Sequence, residues 1–216
     1  MEINKFIDHT ILKATATEAD IIELCKEARE YEFFSVCVNS GYVPLAKKQL
    51  SNSKVKVCAV VGFPLGAMST EAKVFEAEQA LKDGAEEIDM VINIGELKSK
   101  NLKKVEDEIA AIKNVIGDKV LKVIIETCYL TPQEIVIASE LAVNAKADYV
   151  KTSTGFGTDG AKMENIKLMK KAVNGSAKIK ASGGIKNLDT ALSYIEAGVE
   201  RIGTSSGVSI VKELKG

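Results

Sequence analysis

Asp148-Tyr149-Val150-Lys151-Thr152-Ser153-Thr154-Gly155-Phe156-Gly157 begins as a short apolar run and passes into a loop of hydroxyls and glycines. The run ends on Lys151, where a strand's side chains become reachable. A lone buried ammonium is costly, so a lysine on a strand covered on both faces should be paired, exposed or chemically employed. The pattern around it recurs. Gly84-Ala85-Glu86-Glu87-Ile88-Asp89, Lys146-Ala147-Asp148-Tyr149-Val150-Lys151 and Gly198-Val199-Glu200-Arg201-Ile202-Gly203 share a small residue after a helix end, an acidic residue next and an apolar residue before the last position. Aligned so, Asp89, Lys151 and Gly203 stand at one height on three strands.

Outward from this repeat, short β-branched runs alternate with amphipathic segments, the pattern of a parallel sheet joined by helices. The runs are Phe6 to Thr10, Ser35 to Val38, Val55 to Val61, Glu87 to Ile92, Leu121 to Glu126, Asp148 to Lys151, Lys178 to Ala181 and Arg201 to Gly203, the first reading as very short. Thr17-Glu18-Ala19-Asp20 is a capping box, and Thr131-Pro132-Gln133-Glu134 offers an N-cap, a proline at N1 and a glutamate at N3. Gly84, Gly117, Gly175 and Gly198 sit where helices should stop. Eight such units in 216 residues predict an α/β fold, a single-domain TIM (β/α)₈ barrel of parallel strands over residues 1–216.

The bulk numbers exclude several classes. Lys and Arg total 29 against 30 Asp and Glu, for a net charge of −1 without a basic block, which argues against nucleic acid or an anionic membrane as partner. Apolar runs such as Cys58 to Phe63 are far too short to cross a bilayer. Cys25, Cys37, Cys58 and Cys128 form no CxxC, and the first residues lack the apolar core of a signal peptide, which points to a reducing cytoplasm. The expected partner is a small molecule.

In a barrel the site is built at the C-terminal ends of the strands. Asp8, His9, Thr10, Cys37, Asn39, Asp89, Asn93, Glu126, Thr127, Lys151 and Lys180 fall there. Lys151 and Lys180 lie on neighbouring strands about 4.8 Å apart. Two ammonium groups about 5 Å apart at an effective dielectric of about 20 repel by about 3 kcal/mol. That repulsion, with partial burial, favours one neutral amine, the form that attacks a carbonyl to give a Schiff base. Asp89 at the same level can carry protons, or equally be a satisfied interior carboxylate. Lys122 lies near a strand start and reads as an ion-pair partner of Asp89 or Glu126. His9 is the sole histidine, so no triad or histidine-based metal cluster can form, and a structural hydrogen bond suits it better. Cys37 reads as a buried thiol acting as a small hydrophobe. Ser182-Gly183-Gly184 and Gly203-Thr204-Ser205-Ser206-Gly207 follow the seventh and eighth strands, where barrels bind phosphate through loop amides, with Thr154-Gly155 adjacent.

These segments resemble a known family. Asp8-His9-Thr10-Ile11-Leu12-Lys13, Asp89-Met90-Val91-Ile92-Asn93-Ile94-Gly95, Leu121-Lys122-Val123-Ile124-Ile125-Glu126-Thr127, Lys151-Thr152-Ser153-Thr154-Gly155-Phe156 and Lys180-Ala181-Ser182-Gly183-Gly184-Ile185 look like deoxyribose-phosphate aldolase from about Phe6 to near the C-terminus. The resemblance implies a class I, metal-free aldolase without cofactor, which reversibly cleaves 2-deoxy-D-ribose 5-phosphate to D-glyceraldehyde 3-phosphate and acetaldehyde in deoxyribonucleotide catabolism. It implies Lys151 as the Schiff-base lysine, Lys180 as its perturbing neighbour and Asp89 as proton carrier, with Gly155, Gly183, Gly184, Ser205 and Ser206 at the phosphate. A homodimer is compatible with it, although the outer helix faces look ordinary. Some members end in a longer tail bearing a tyrosine, whereas this sequence stops at Leu214-Lys215-Gly216, which leaves enamine protonation to Asp89, Lys180 and water. Other readings of the same residues are a transaldolase-like enzyme or an epimerase on a phosphosugar, and a barrel kept as a phosphosugar sensor.

Overall fold

A computed structural model describes residues 2–215. Its strands β1 (Ile7–Ile11), β2 (Ser35–Asn39), β3 (Lys56–Val61), β4 (Glu87–Val91), β5 (Val120–Ile124), β6 (Tyr149–Lys151), β7 (Lys178–Ser182) and β8 (Arg201–Thr204) pair in sequence order into a closed barrel. Every pairing is parallel, and β8 closes on β1. The helices are α1 (Glu18–Glu30), α2 (Val43–Gln49), α3 (Thr70–Lys82), α4 (Ile94–Lys98), α5 (Leu102–Ile116), α6 (Pro132–Asn144), α7 (Met163–Val173), α8 (Leu188–Glu196) and α9 (Gly207–Lys215).

Local sequence sets the helix ends. The side chains of Thr17 and Thr131 each accept a hydrogen bond from the third helical N–H, and Asp20 and Glu134 return the contact to complete both capping boxes. Gly117, at φ +57°, takes a left-handed conformation open to glycine at little cost and stops α5.

The first strand, read as very short, has five residues; β6, with three, is the shortest. The fifth was read as running to Glu126, but it ends at Ile124, because Glu126 turns into the left-handed region at φ +53°.

Outward side chains such as Val36, Ala59, Ile88, Val123, Val150 and Ile202 pack on the helices in one continuous apolar core. The inward side chains differ. Strand register and barrel tilt stack them in layers of four drawn from alternate strands. Ser35, Glu87, Tyr149 and Arg201 form the lowest layer, Asp8, Cys58, Lys122 and Lys180 the next, and Cys37, Asp89, Lys151 and Gly203 the third. The repeat therefore does put Asp89, Lys151 and Gly203 in one layer. Charged and thiol side chains fill positions where apolar residues commonly form the barrel's plug.

Candidate active site

The buried charges form one network. Arg201 donates to Asp8 and, at 2.9 Å, to Glu87. Above them Lys180 meets Asp8 at 2.5 Å and Asp89 at 2.8 Å. Lys122 pairs with Glu87 at 2.6 Å and with Asp89 Oδ1 at 2.8 Å. Lys151 donates to Asp89 Oδ2 at 2.7 Å, so it shares with Lys180 a single carboxylate oxygen. Lys122 was read as partner to Asp89 or Glu126, and the structure selects Asp89. Glu126 stands on the far side of the chain's turn and accepts instead from Thr154 N at 3.1 Å and from the Thr154 hydroxyl.

Burial and charge oppose each other throughout this cluster. Burial works against ionisation of Asp89, yet Lys122, Lys151 and Lys180 outweigh it and hold the carboxyl well below the usual range. Burial likewise works against a charged Lys180, but the carboxylates of Asp8 and Asp89 keep its ammonium well above the ordinary lysine value. Lys180 is thus a fixed cation. Asp8, Glu87 and Asp89 supply three carboxylates, while Lys122, Lys151, Lys180 and Arg201 supply four basic groups, all buried. The network so joined holds one base more than it has acids.

Above the network lies a cavity of about 320 Å³, lined by Lys151, Thr154, Gly155, Gly183, Gly184 and Ser205 among others. Of the expected catalytic residues only Lys151 reaches it; Asp89 and Lys180 are fully buried beneath. Of the expected phosphate residues Ser206 is absent from the wall, its N–H bonded to Thr204 Oγ1 at 2.9 Å. The wall also carries Lys13 and Lys186, cations the sequence reading did not assign to it. His9 points away from the barrel interior and meets Glu27 at 2.7 Å, the structural bond expected of it. Cys37 is buried, also as expected.

The glycine loops lie close together. Ala161 N donates to Gly183 O at 3.1 Å, and a Cβ on Gly160 would stand 2.2 Å from that same oxygen. Gly160→Ala is therefore expected to displace the Gly183-Gly184 loop and to raise KM for a phosphorylated substrate far more than it lowers kcat. Steady-state kinetics beside thermal unfolding checks this.

Glu126 was read only as a strand-end residue or a partner of Lys122, because nothing in its sequence context forecasts a left-handed glutamate. Burial pushes its carboxyl up, against the Thr154 bonds that pull it down. Glu126→Ala would strand the buried Thr154 N–H at a cost of about 1–3 kcal/mol. We expect a lower denaturation midpoint and a higher KM, with Glu126→Gln, which keeps an acceptor, close to the parent.

Comparison with known proteins sets this geometry in a family. The model of the DeoC/LacD family aldolases matches residues 3–213. The chain belongs to the DeoC/LacD aldolase family. A deoxyribose-phosphate aldolase of Finegoldia magna is 59% identical over 212 residues, spanning 98% of this chain and all of that protein. One from Clostridium tetani is 55% identical over 216 residues, across the whole of both chains. Among solved structures, the deoxyribose phosphate aldolase of Aeropyrum pernix, described as a unique tetramer, superposes with a TM-score of 0.90 at 32% identity, covering 99% of this chain and 91% of that one. Within this aldolase family architecture, no helix among the described residues is long and apolar enough to cross a membrane.

Proposed function

We propose that this chain is a class I aldolase that reversibly cleaves 2-deoxy-D-ribose 5-phosphate to D-glyceraldehyde 3-phosphate and acetaldehyde, with Lys151 as the covalent amine. One observation carries the reading: among the described residues, Lys151 is the only basic group of the buried network that lines the cavity. The ion-pair network has one base more than it has acids, and Lys151 is the base that faces the cavity, where a carbonyl can reach it. Unprotonated, Lys151 leaves three cations facing three carboxylates.

On this reading Nζ of Lys151 attacks C1 of the open-chain aldehyde, and loss of water gives the protonated Schiff base. Departure of the 3-hydroxyl proton forms the carbonyl of glyceraldehyde phosphate as the C2–C3 bond breaks, its electron pair flowing into the iminium to leave an enamine. Protonation at C2 and addition of water then release acetaldehyde and restore the amine. Asp89 and Lys180 do not touch the cavity, so both act through Lys151: Asp89 accepts the hydrogen bond from Nζ and holds the amine in place, and Lys180 is the positioning residue whose charge keeps Asp89 engaged. Water in the cavity serves the 3-hydroxyl and C2. Thr154, Gly155, Gly183, Gly184 and Ser205, with Ser206 at the margin, receive the phosphate; their backbone amides and the two cations of the wall suit a dianion.

The identity of the curated relatives supports the substrate, and the four free cysteines support a reducing, cytoplasmic setting. Borohydride added with acetaldehyde should fix an ethyl group on the peptide containing Lys151. An unmodified Lys151 in a chain that still turns over would defeat the proposal.

A further inference from the structure

Two thiols of the barrel interior take no part in the reaction above. Cys37 on β2 and Cys58 on β3 are register partners, so their side chains leave adjacent strands in the same inward direction. Their sulfur atoms and a carboxylate oxygen of Asp89 all lie within 4.8 Å of one another. Cys58 donates to Asp89 Oδ1 at 3.0 Å, and Lys122 Nζ stands 3.4 Å from the same sulfur. Paired strands set Cα atoms about 4.8 Å apart, inside the span a disulfide bridges.

We propose that Cys37 and Cys58 form a peroxide-oxidisable dithiol whose closure to a disulfide switches off the neighbouring amine. The two thiols are unequal, as an attacking and a resolving cysteine should be. The contact with Cys58, aided by the ammonium groups of Lys180 and Lys151, draws the Cys37 thiol below its ordinary range, while burial drives that of Cys58 well above it. Cys37 sulfur attacks one oxygen of hydrogen peroxide; the O–O bond breaks, Cys37 becomes a sulfenic acid and one water leaves. Cys58 sulfur then attacks the sulfenic sulfur, its proton joins the departing hydroxide as a second water, and the S–S bond forms. Two thiols are oxidised and one peroxide is reduced.

The path of the oxidant is short. The pair clusters with Leu12, Val60 and Phe63, and Leu12 is also part of the cavity wall, so an apolar side chain joins the thiols to the cavity that a small uncharged oxidant would enter. The effect on the site follows from Asp89. Oδ1 loses its thiol donor when Cys58 gives up its hydrogen, and the carboxylate is left to its three lysines, drawing Lys151 into the pair and away from the cavity.

Formation of the disulfide is independent of the role given to Lys151; only the loss of turnover rests on that proposal. The test is to treat the full chain with hydrogen peroxide, unfold it in an alkylating agent and map its peptides without reduction. A Cys37–Cys58 linked pair, lighter by two hydrogens, is expected, together with loss of most turnover and its recovery in dithiothreitol. In Cys58→Ser, which keeps a hydroxyl donor beside Cys37, the bridge should be missing and a sulfenic acid at Cys37 should be trapped by dimedone added on unfolding. Oxidation confined to Cys128 or Cys25, or a linked chain with undiminished turnover, would overturn the inference. Borohydride trapping on untreated protein reads the Lys151 proposal separately.

Discussion

Lys151→Met should abolish turnover, by on the order of 10⁴-fold or more, together with the borohydride-stable adduct. The same substitution should leave the thermal midpoint unchanged or raise it. Lys151 is the base in excess of the three interior carboxylates, and Asp89 keeps Lys122, Lys180 and Cys58 as donors when it is gone. A methionine of similar length fills the space without a charge to desolvate. Loss of a buried ion-pair partner ordinarily costs about 3–5 kcal/mol. A drop of that size in a denaturant titration would show that Lys151 is an integral member of the charge set and would sink its assignment as the base in excess.

Lys180→Leu is expected to be inactive for the opposite reason. The three carboxylates then have only Lys122, Arg201 and Lys151 to face, so Lys151 is committed to its pair with Asp89. Trapping by borohydride should fall per folded molecule although Lys151 is intact, which a purely structural defect does not explain. The change should weaken the fold as well, since Lys180 is fully buried and pairs with both Asp8 and Asp89. A loss of about 3 kcal/mol is expected, or about 6–12 °C in Tm for a chain of this size. Parent-like turnover at neutral pH would contradict the proposed role.

Much of this was readable from the residues because the strands are short, β-branched and bounded by glycine and acidic residues. Lys151, Lys180 and Asp89 fall at strand ends, and the repeat put Asp89, Lys151 and Gly203 in one layer without knowledge of register, whereas Lys180 lies one layer below. Less could be read of the charges below them. In a parallel barrel both faces of a strand are buried, so alternation does not reveal which face turns inward. Asp8 could have been singled out by standing two residues before Thr10 on β1, on the same face. Arg201 and Glu87 gave no such clue, since each sits at a strand start, where a charged residue is usually solvated. Glu126 escaped because its role depends on one backbone rotation.

An interior of interlocked acids and bases has a consequence for how such a protein can change. Substitutions at Asp8, Glu87, Lys122, Lys180 or Arg201 share partners, so their effects should be strongly non-additive, and altering one invites a second to restore it. The loops after β6, β7 and β8 stand outside that set. New substrate preferences are therefore most accessible through those rims, while the charged plug drifts slowly and only in compensated pairs.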